Sequence, residues 1–144
     1  MKTVRQLLES KGSAILAIAP DATVYDALVT MADKHVGALL VMEEARLVGI
    51  FSERDYAREI ALKGKTSRET LVRDAMTPES CLITVGLSDT VDNCMNLVTD
   101  KRIRHLPVIE AGRVVGVLSI GDLVKETIAH QRFLIEQLEG YIKG

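Results

Sequence analysis

Two serine–aspartate pairs with the same spacing, Ser52 with Asp55 and Ser119 with Asp122, are the side chains of this sequence best suited to chemistry. Each lies in the same frame, "GIFSERD" from Gly49 and "GVLSIGD" from Gly116, 67 positions apart. At the start of a helix this spacing makes a capping box, in which the serine accepts from a first-turn amide and the acid reaches back to the cap amide. Capping alone accounts for either pair taken singly. The same atoms also suit a ligand. A helix start offers unpaired amides and the positive end of a dipole, where a phosphate docks, and the serine adds a hydroxyl. A carboxylate three residues on can accept both hydroxyls of a ribose, as the acidic residue does in dinucleotide sites. Sugar and phosphate together make a nucleotide, and a wall of Ile, Leu and Val accepts its flat base.

The surrounding charges differ between the two frames. Arg54 lies inside the first, where the second has Gly121; Arg104 and His105 precede the second, where the first has Gly37 and Ala38. Arg54, Arg104 and His105 are the available phosphate partners, each also readable as a surface charge or cap, and His105 as a core histidine. The two sites should therefore differ in affinity. His35 and His130 read as solvated helix residues, and Cys81 and Cys94 as two buried, reduced thiols. No His or Cys pattern has metal-ligand spacing, so no intrinsic metal is expected. No nucleophile motif or Walker loop supports an enzyme.

The elements that carry these residues are duplicated. Sliding the chain by 67 positions lays "DATVYDALVTMADKHVGALLVMEEARLVGIFSERD" on "SDTVDNCMNLVTDKRIRHLPVIEAGRVVGVLSIGD" without a gap. A slip of one more residue lays "VRQLL" at Val4 on "VRDAM" at Val72, so each copy has its own lead-in helix. Each copy reads as strand, helix, strand, strand, helix. Thr23 and Asp26 open the first amphipathic helix, with Leu28 and Met31 on its apolar face and its end near His35. "GALLVM" and "RLVGIF" are strands joined by "EEA"; the second copy has "RHLPVI", "EAG" and "RVVGVL". Gly112 suits a tight hairpin, and Pro107 belongs near a strand start or on a sheet edge. Lys63 and Gly64 should end the helix begun after Ser52, and Ser67 should cap a short turn leading to Met76. After Asp122 the last helix runs long, with Val124, Ile128, Ile135, Leu138 and Ile142 at heptad-like spacing, interrupted by Gln131. It should form a packing seam, against the body or a second subunit.

Neither copy has strands enough for a core of its own, so the expected fold is α+β, two β-α-β-β-α repeats packed sheet to sheet about a pseudo-twofold axis. The first repeat spans 1–66 with its lead-in helix and the connection, the second 67–144 with the long C-terminal helix. At 47% hydrophobic but 3% aromatic, with no Trp, the interior must be Val, Leu, Ile, Ala and Met. A net charge of −2, acids and bases interspersed, argues against a nucleic-acid surface. No apolar run reaches the roughly 18 residues of a membrane span, and "MKTVRQLLESKG" lacks a signal-peptide core. The expected setting is soluble and cytoplasmic.

The paired frames, "DAMTP" before the second copy and "RHLPVI" closely resemble the paired cystathionine-beta-synthase (CBS) domain, or Bateman module, over nearly the whole chain. The chain looks like such a pair standing alone. The resemblance implies binding of adenosine-containing ligands, commonly AMP, ADP, ATP, NAD(H) or S-adenosylmethionine, in clefts between the repeats. It also implies association into a homodimeric disc. By position, Asp55 and Asp122 would hold ribose, and Ser52 and Ser119 phosphate. Each cleft would borrow the first strand of the opposite repeat. Gly12, Ser13 and Ile15 would join Ser119 and Asp122, while Ser80, Cys81 and Leu82 would join Ser52 and Asp55. Gly37 and Ala38 would complete the wall around the base. The function expected is a non-enzymatic regulatory module acting on an unknown partner. The alternative is an adaptor with empty clefts.

Overall fold

The computed structural model describes residues 2–143. In chain order the elements are α1 (Val4–Lys11), β1 (Ala17–Ile18), α2 (Val24–Lys34), β2 (Ala38–Glu43), β3 (Arg46–Ser52) and α3 (Glu53–Asp55). After a π-helical stretch, Tyr56–Ala61, come α4 (Val72–Ala75), β4 (Thr77–Pro78) and a 3-10 turn, Glu79–Cys81. The chain closes with α5 (Val91–Asp100), β5 (His105–Glu110), β6 (Arg113–Ser119) and α6 (Ile120–Lys143). The fold is α+β, as the alternating patterns predict.

Two compact units form. One comprises Ile15–Ile83 with Gly112–Val114; the other comprises the chain through Ala14, Thr84–Ala111 and the chain from Val115. Each holds the body of one copy with the lead-in of the other.

In the unit of residues 15–83, a four-stranded sheet runs β1-β2-β3-β4. Ala17 and Ile18 pair in parallel with Leu40 and Val41; β2 and β3 form an antiparallel hairpin with a bulge between Val41 and Met42. Thr23 caps α2 by accepting from the Asp26 amide at 3.1 Å. Val24, Ala27 and Met31, at helical spacing, turn that helix toward Leu39, Val41 and Phe51. His35, near which the helix is expected to end, is its left-handed C-cap at φ 56°, exposed and backed by carbonyls of Met31 and Ala32. The helix after Ser52 widens to π geometry, with Leu62 N–H donating to Ala57 and Lys65 N–H to Ile60, and passes into Gly64 at φ +67°. Ser67 does not cap α4. Its carbonyl accepts from Tyr25 N–H, while Leu71 holds the cap position without a side-chain bond.

In the other unit, Thr3 and Gln6 form a capping box on α1, and Thr90 caps α5. Val4, Leu7, Leu8, Val91, Cys94 and Leu106 are buried. The β5–β6 hairpin turns at Ala111 and Gly112, both with positive φ, as Gly112 suggested. The first strand of this copy shrinks to one parallel bridge, Val85 with Val108. Val85 N–H donates to Pro107 and Ile109 N–H to Val85, so the bridge asks of Pro107 only an acceptor.

The lead-ins attach through matching main-chain bonds. In one unit Val4 N–H donates to Asp89, Arg5 N–H to Leu87, and Val91 N–H to Lys2. In the other, Val72 N–H donates to Ala22, Arg73 N–H to Pro20, and Val24 N–H to Thr70. All six bonds fall between 2.8 and 3.0 Å and match through the two sequence offsets. The repeated glycines lie where these lead-ins cross the strands. A Cβ on Gly49 would meet Met76 Sδ at 2.7 Å, and one on Gly116 would meet Leu8 Cδ2 at 2.8 Å.

Candidate functional site

Each unit carries one serine–aspartate pair where a strand feeds a helix. In the first, Ser52 ends β3 opposite Ala38 of β2, and Glu53 N–H donates to the Gly37 carbonyl at 3.0 Å. Ser52 Oγ accepts from Asp55 N–H at 3.3 Å, and Asp55 Oδ2 accepts from Ser52 N–H at 2.9 Å and from Ser52 Oγ at 3.0 Å. Thr77 Oγ1 donates to Asp55 Oδ1 at 3.0 Å. A carboxylate has about four acceptor positions, and three are used here. β4 brings Thr77 there because it pairs with Gly49 and Ile50. Ser80 and Cys81 follow on the exposed 3-10 turn, Leu82 behind it is half-buried, and Arg54 is exposed on α3.

In the second unit Ser119 Oγ accepts from Asp122 N–H at 3.1 Å and Asp122 Oδ2 accepts from Ser119 N–H at 2.8 Å. Ile120 N–H donates to the Arg104 carbonyl at 2.9 Å, the counterpart of the Glu53–Gly37 bond. The carboxylate's other partner is a cation. Lys11 Nζ lies 3.3 Å from Asp122 Oδ2 and donates to the Val117 carbonyl at 3.0 Å. Among the described residues nothing donates to Asp122 Oδ1. Gly12 ends α1 directly beyond Lys11 at φ +95°, exposed, with Ser13 exposed after it. Ile15 falls in the other unit.

His105, half-buried beside this pair, has its pKa held below the ordinary imidazole range by burial and then by Arg104, with Asp122 pulling it back up. At neutral pH it offers a hydrogen bond and no charge, so of the cations expected for a phosphate only Arg104, exposed, remains here, and Lys11 joins it. The thiols also depart from expectation. Cys94 is buried, its pKa pushed up to about 11 by burial and then by Asp89, but Cys81 is exposed, since it sits on a surface turn. Among the described residues no group of His, Cys, Asp and Glu forms a metal site.

Both pairs are thus capping boxes, the structural role their spacing allows. Capping together with Thr77 leaves one position open on Asp55, and capping with Lys11 leaves the whole of Oδ1 open on Asp122 among the described residues. Such a carboxylate can still accept from a hydroxyl.

The CBS domain family model matches residues 11–62 and again 72–128, one match on each copy. The chain belongs to the CBS domain family. A curated CBS relative, the mitochondrial CBS domain-containing protein CBSX3 of Arabidopsis thaliana, is 42% identical over 99% of this chain and 72% of its own length. The crystal structure of a CBS domain, NE2398, superposes with a TM-score of 0.83 at 47% identity, over 88% of this chain and 98% of that one. A CBS-domain protein of Burkholderia ambifaria MC40-6, described as a putative signal-transduction protein, gives 0.84 at 43% identity over 90% and 96%. Of the longer Arabidopsis CBS relatives CBSCBSPB5 and CBSCBSPB4, the chain spans 24%.

Sequence reasoning missed two residues of this CBS pair, Thr77 and Lys11. The signal for the first was present: the lead-in offset sets Met76 opposite Leu8, and so sets Thr77 beside the repeated glycine strand. Lys11 has no such mark. Its counterpart by that offset is Glu79, so only the fold reveals that a cation takes the place of a hydroxyl.

Proposed function

We propose that this CBS pair is a non-enzymatic regulatory module that binds an adenosine-containing ligand, such as AMP, ADP, ATP, NAD(H) or S-adenosylmethionine, at its serine–aspartate helix starts. The observation that carries the reading is Asp122 Oδ1, without a donor among the described residues, in a unit where Lys11, Ser119 and Arg104 gather around the same helix start. Asp122 and Asp55 take ribose hydroxyls. Ser52 and Ser119 take phosphate with Arg54, Arg104 and, newly, Lys11. Gly12, Ser13, Gly37, Ala38, Ser80, Cys81 and Leu82 supply wall and backbone contacts to the base. A ligand held there regulates only through unequal affinity for two conformations, which it passes to a partner protein. The description of the Burkholderia ambifaria protein as signal-transducing supports a regulatory role. The site of action proposed is the cytoplasm, although the name of the Arabidopsis relative assigns that protein to mitochondria. Among the described residues no helix is long and apolar enough to cross a membrane.

A second reading has its own support. Both carboxylates already complete capping boxes, so an adaptor needs no ligand to explain them. Titration calorimetry across the adenosine panel separates the two. Saturable binding that weakens about 10- to 100-fold in Asp122→Asn or Asp55→Asn supports the sensor, because the amide keeps a cap acceptor and loses a charged hydrogen bond. Silence across the panel leaves the adaptor.

A further inference from the structure

In the unit of residues 15–83 a cavity of about 390 Å³ opens between the end of α2 and the start of α3. Leu28, Met31, Val36 and Gly37 line it, and the exposed His35 and Glu53 are its polar groups. Met31 is buried and Leu28 and Val36 are half-buried, so the wall is aliphatic. The Glu53 carboxylate stands beside Gly37: a Cβ on that glycine would lie 3.6 Å from Glu53 Oε1. Among the described residues no basic side chain forms an ion pair with it. The other copy differs at each of these positions. By the offset of 67, His35 corresponds to Arg102, which shares its left-handed backbone at φ 54°, while Gly37 corresponds to Arg104 and Glu53 to Ile120. The second copy therefore places two guanidinium groups and no acid where the first places an acid and no guanidinium.

We infer that this cavity takes an aliphatic cation. Glu53 supplies the counter-charge, and the negative end of the α2 dipole, which falls at His35, adds to it. Lys34, in the last turn of α2, does not line the cavity. Leu28, Met31 and Val36 cover a short alkyl stem, as apolar surface covers the stem of a lysine whose charged head stays in water. A phosphate is repelled by the same carboxylate and dipole. A divalent metal ion finds too few ligands, since among the described residues no three His, Cys, Asp or Glu side chains gather. The cation has two sources. One is the sulfonium and ammonium tail of S-adenosylmethionine with its ribose on Asp55, which rests on the adenosine reading; Glu53 follows Ser52 directly, and its N–H donates to the Gly37 carbonyl. The other is a free alkylamine such as putrescine.

Titration calorimetry with AMP, S-adenosylmethionine and putrescine tests the cavity. At least one of the two cations should bind, about tenfold more weakly in Glu53→Gln. In Gly37→Arg, which brings the second copy's guanidinium to the same carboxylate, cation binding should be lost. Both variants should keep the thermal transition of the wild type, because Glu53 bonds Gly37 through its main chain and a Cβ at Gly37 makes only ordinary contact. Should Gly37→Arg fail to fold, Glu53→Gln alone decides. Putrescine binding indifferent to Asp55→Asn assigns a free amine. Binding of S-adenosylmethionine without putrescine, weakened by Asp55→Asn as well as by Glu53→Gln, assigns the tail. No cation binding, or binding indifferent to Glu53→Gln, overturns the proposal, and AMP binding in that case leaves the adenosine reading standing. Putrescine binding that depends on Glu53, beside silence from AMP and S-adenosylmethionine, does the reverse.

Discussion

A Cβ on Gly49 would stand 2.6 Å from the carbonyl oxygen of Thr77, a main-chain atom that the β3–β4 pairing holds in place. The matching glycine meets something softer. At Gly116 the nearest atoms are Cδ2 and Cδ1 of Leu8, at 2.8 and 3.0 Å, the far end of a flexible side chain. Gly49→Ala should therefore cost about 2–3 kcal/mol and Gly116→Ala less than about 1 kcal/mol, measured by urea unfolding. Equal losses would show that the two lead-ins are held alike.

The two carboxylates should respond differently to loss of their partners. Thr77→Val removes a neutral donor and leaves Asp55 Oδ1 without it, for a cost of about 1 kcal/mol. Lys11→Met breaks an ion pair whose side chains are 26% and 28% exposed, and should cost no more than about 1 kcal/mol. Salt separates them. The Lys11 effect should shrink as ionic strength rises, and the Thr77 effect should hold.

His105 makes stability depend on pH in a fixed direction. Its folded pKa lies below that of the unfolded chain, so the fold disfavours the proton. The stabilisation is full above the ordinary imidazole value of about 6.5 and is lost as pH falls below it, toward and through the lowered folded value. Melting temperature followed from pH 8 to pH 5 should fall more in the wild type than in His105→Gln. The reverse order would contradict the sign.

The thiols should separate cleanly in a reactivity assay. Cys81, exposed on its turn, should be modified promptly by a disulfide reagent at pH 8, while Cys94, buried with its pKa raised to about 11, should wait for unfolding. One fast equivalent per chain is expected. Two would mean that α5 opens readily.

Much of this was legible before any coordinates. The duplication, the strand and helix order, the capping geometry at Ser52 and Ser119 and the turn at Gly112 follow from local rules of spacing, which act over a few residues. What escaped was set at long range or by local strain. Lys11 reaches Asp122 only because α1 docks on the other copy, and no short-range pattern announces a contact across that separation. The π widening after Asp55, the left-handed His35 and the exposure of Cys81 depend on how neighbouring segments pack. Ser67 looked like a cap by residue type, but its main chain is engaged by Tyr25 instead.

The exchange of lead-ins also fixes an order of assembly during synthesis. The stretch from Ile15 to Ile83 carries nearly all of its own unit and can close as soon as it leaves the ribosome. Helix α1 is made earlier still, yet Leu87, Asp89 and Val91, to which its end bonds, are among the later residues translated. Its apolar side, Val4, Leu7 and Leu8, must stay uncovered in the interval. A nascent chain of this protein is therefore exposed to trapping along the apolar side of α1.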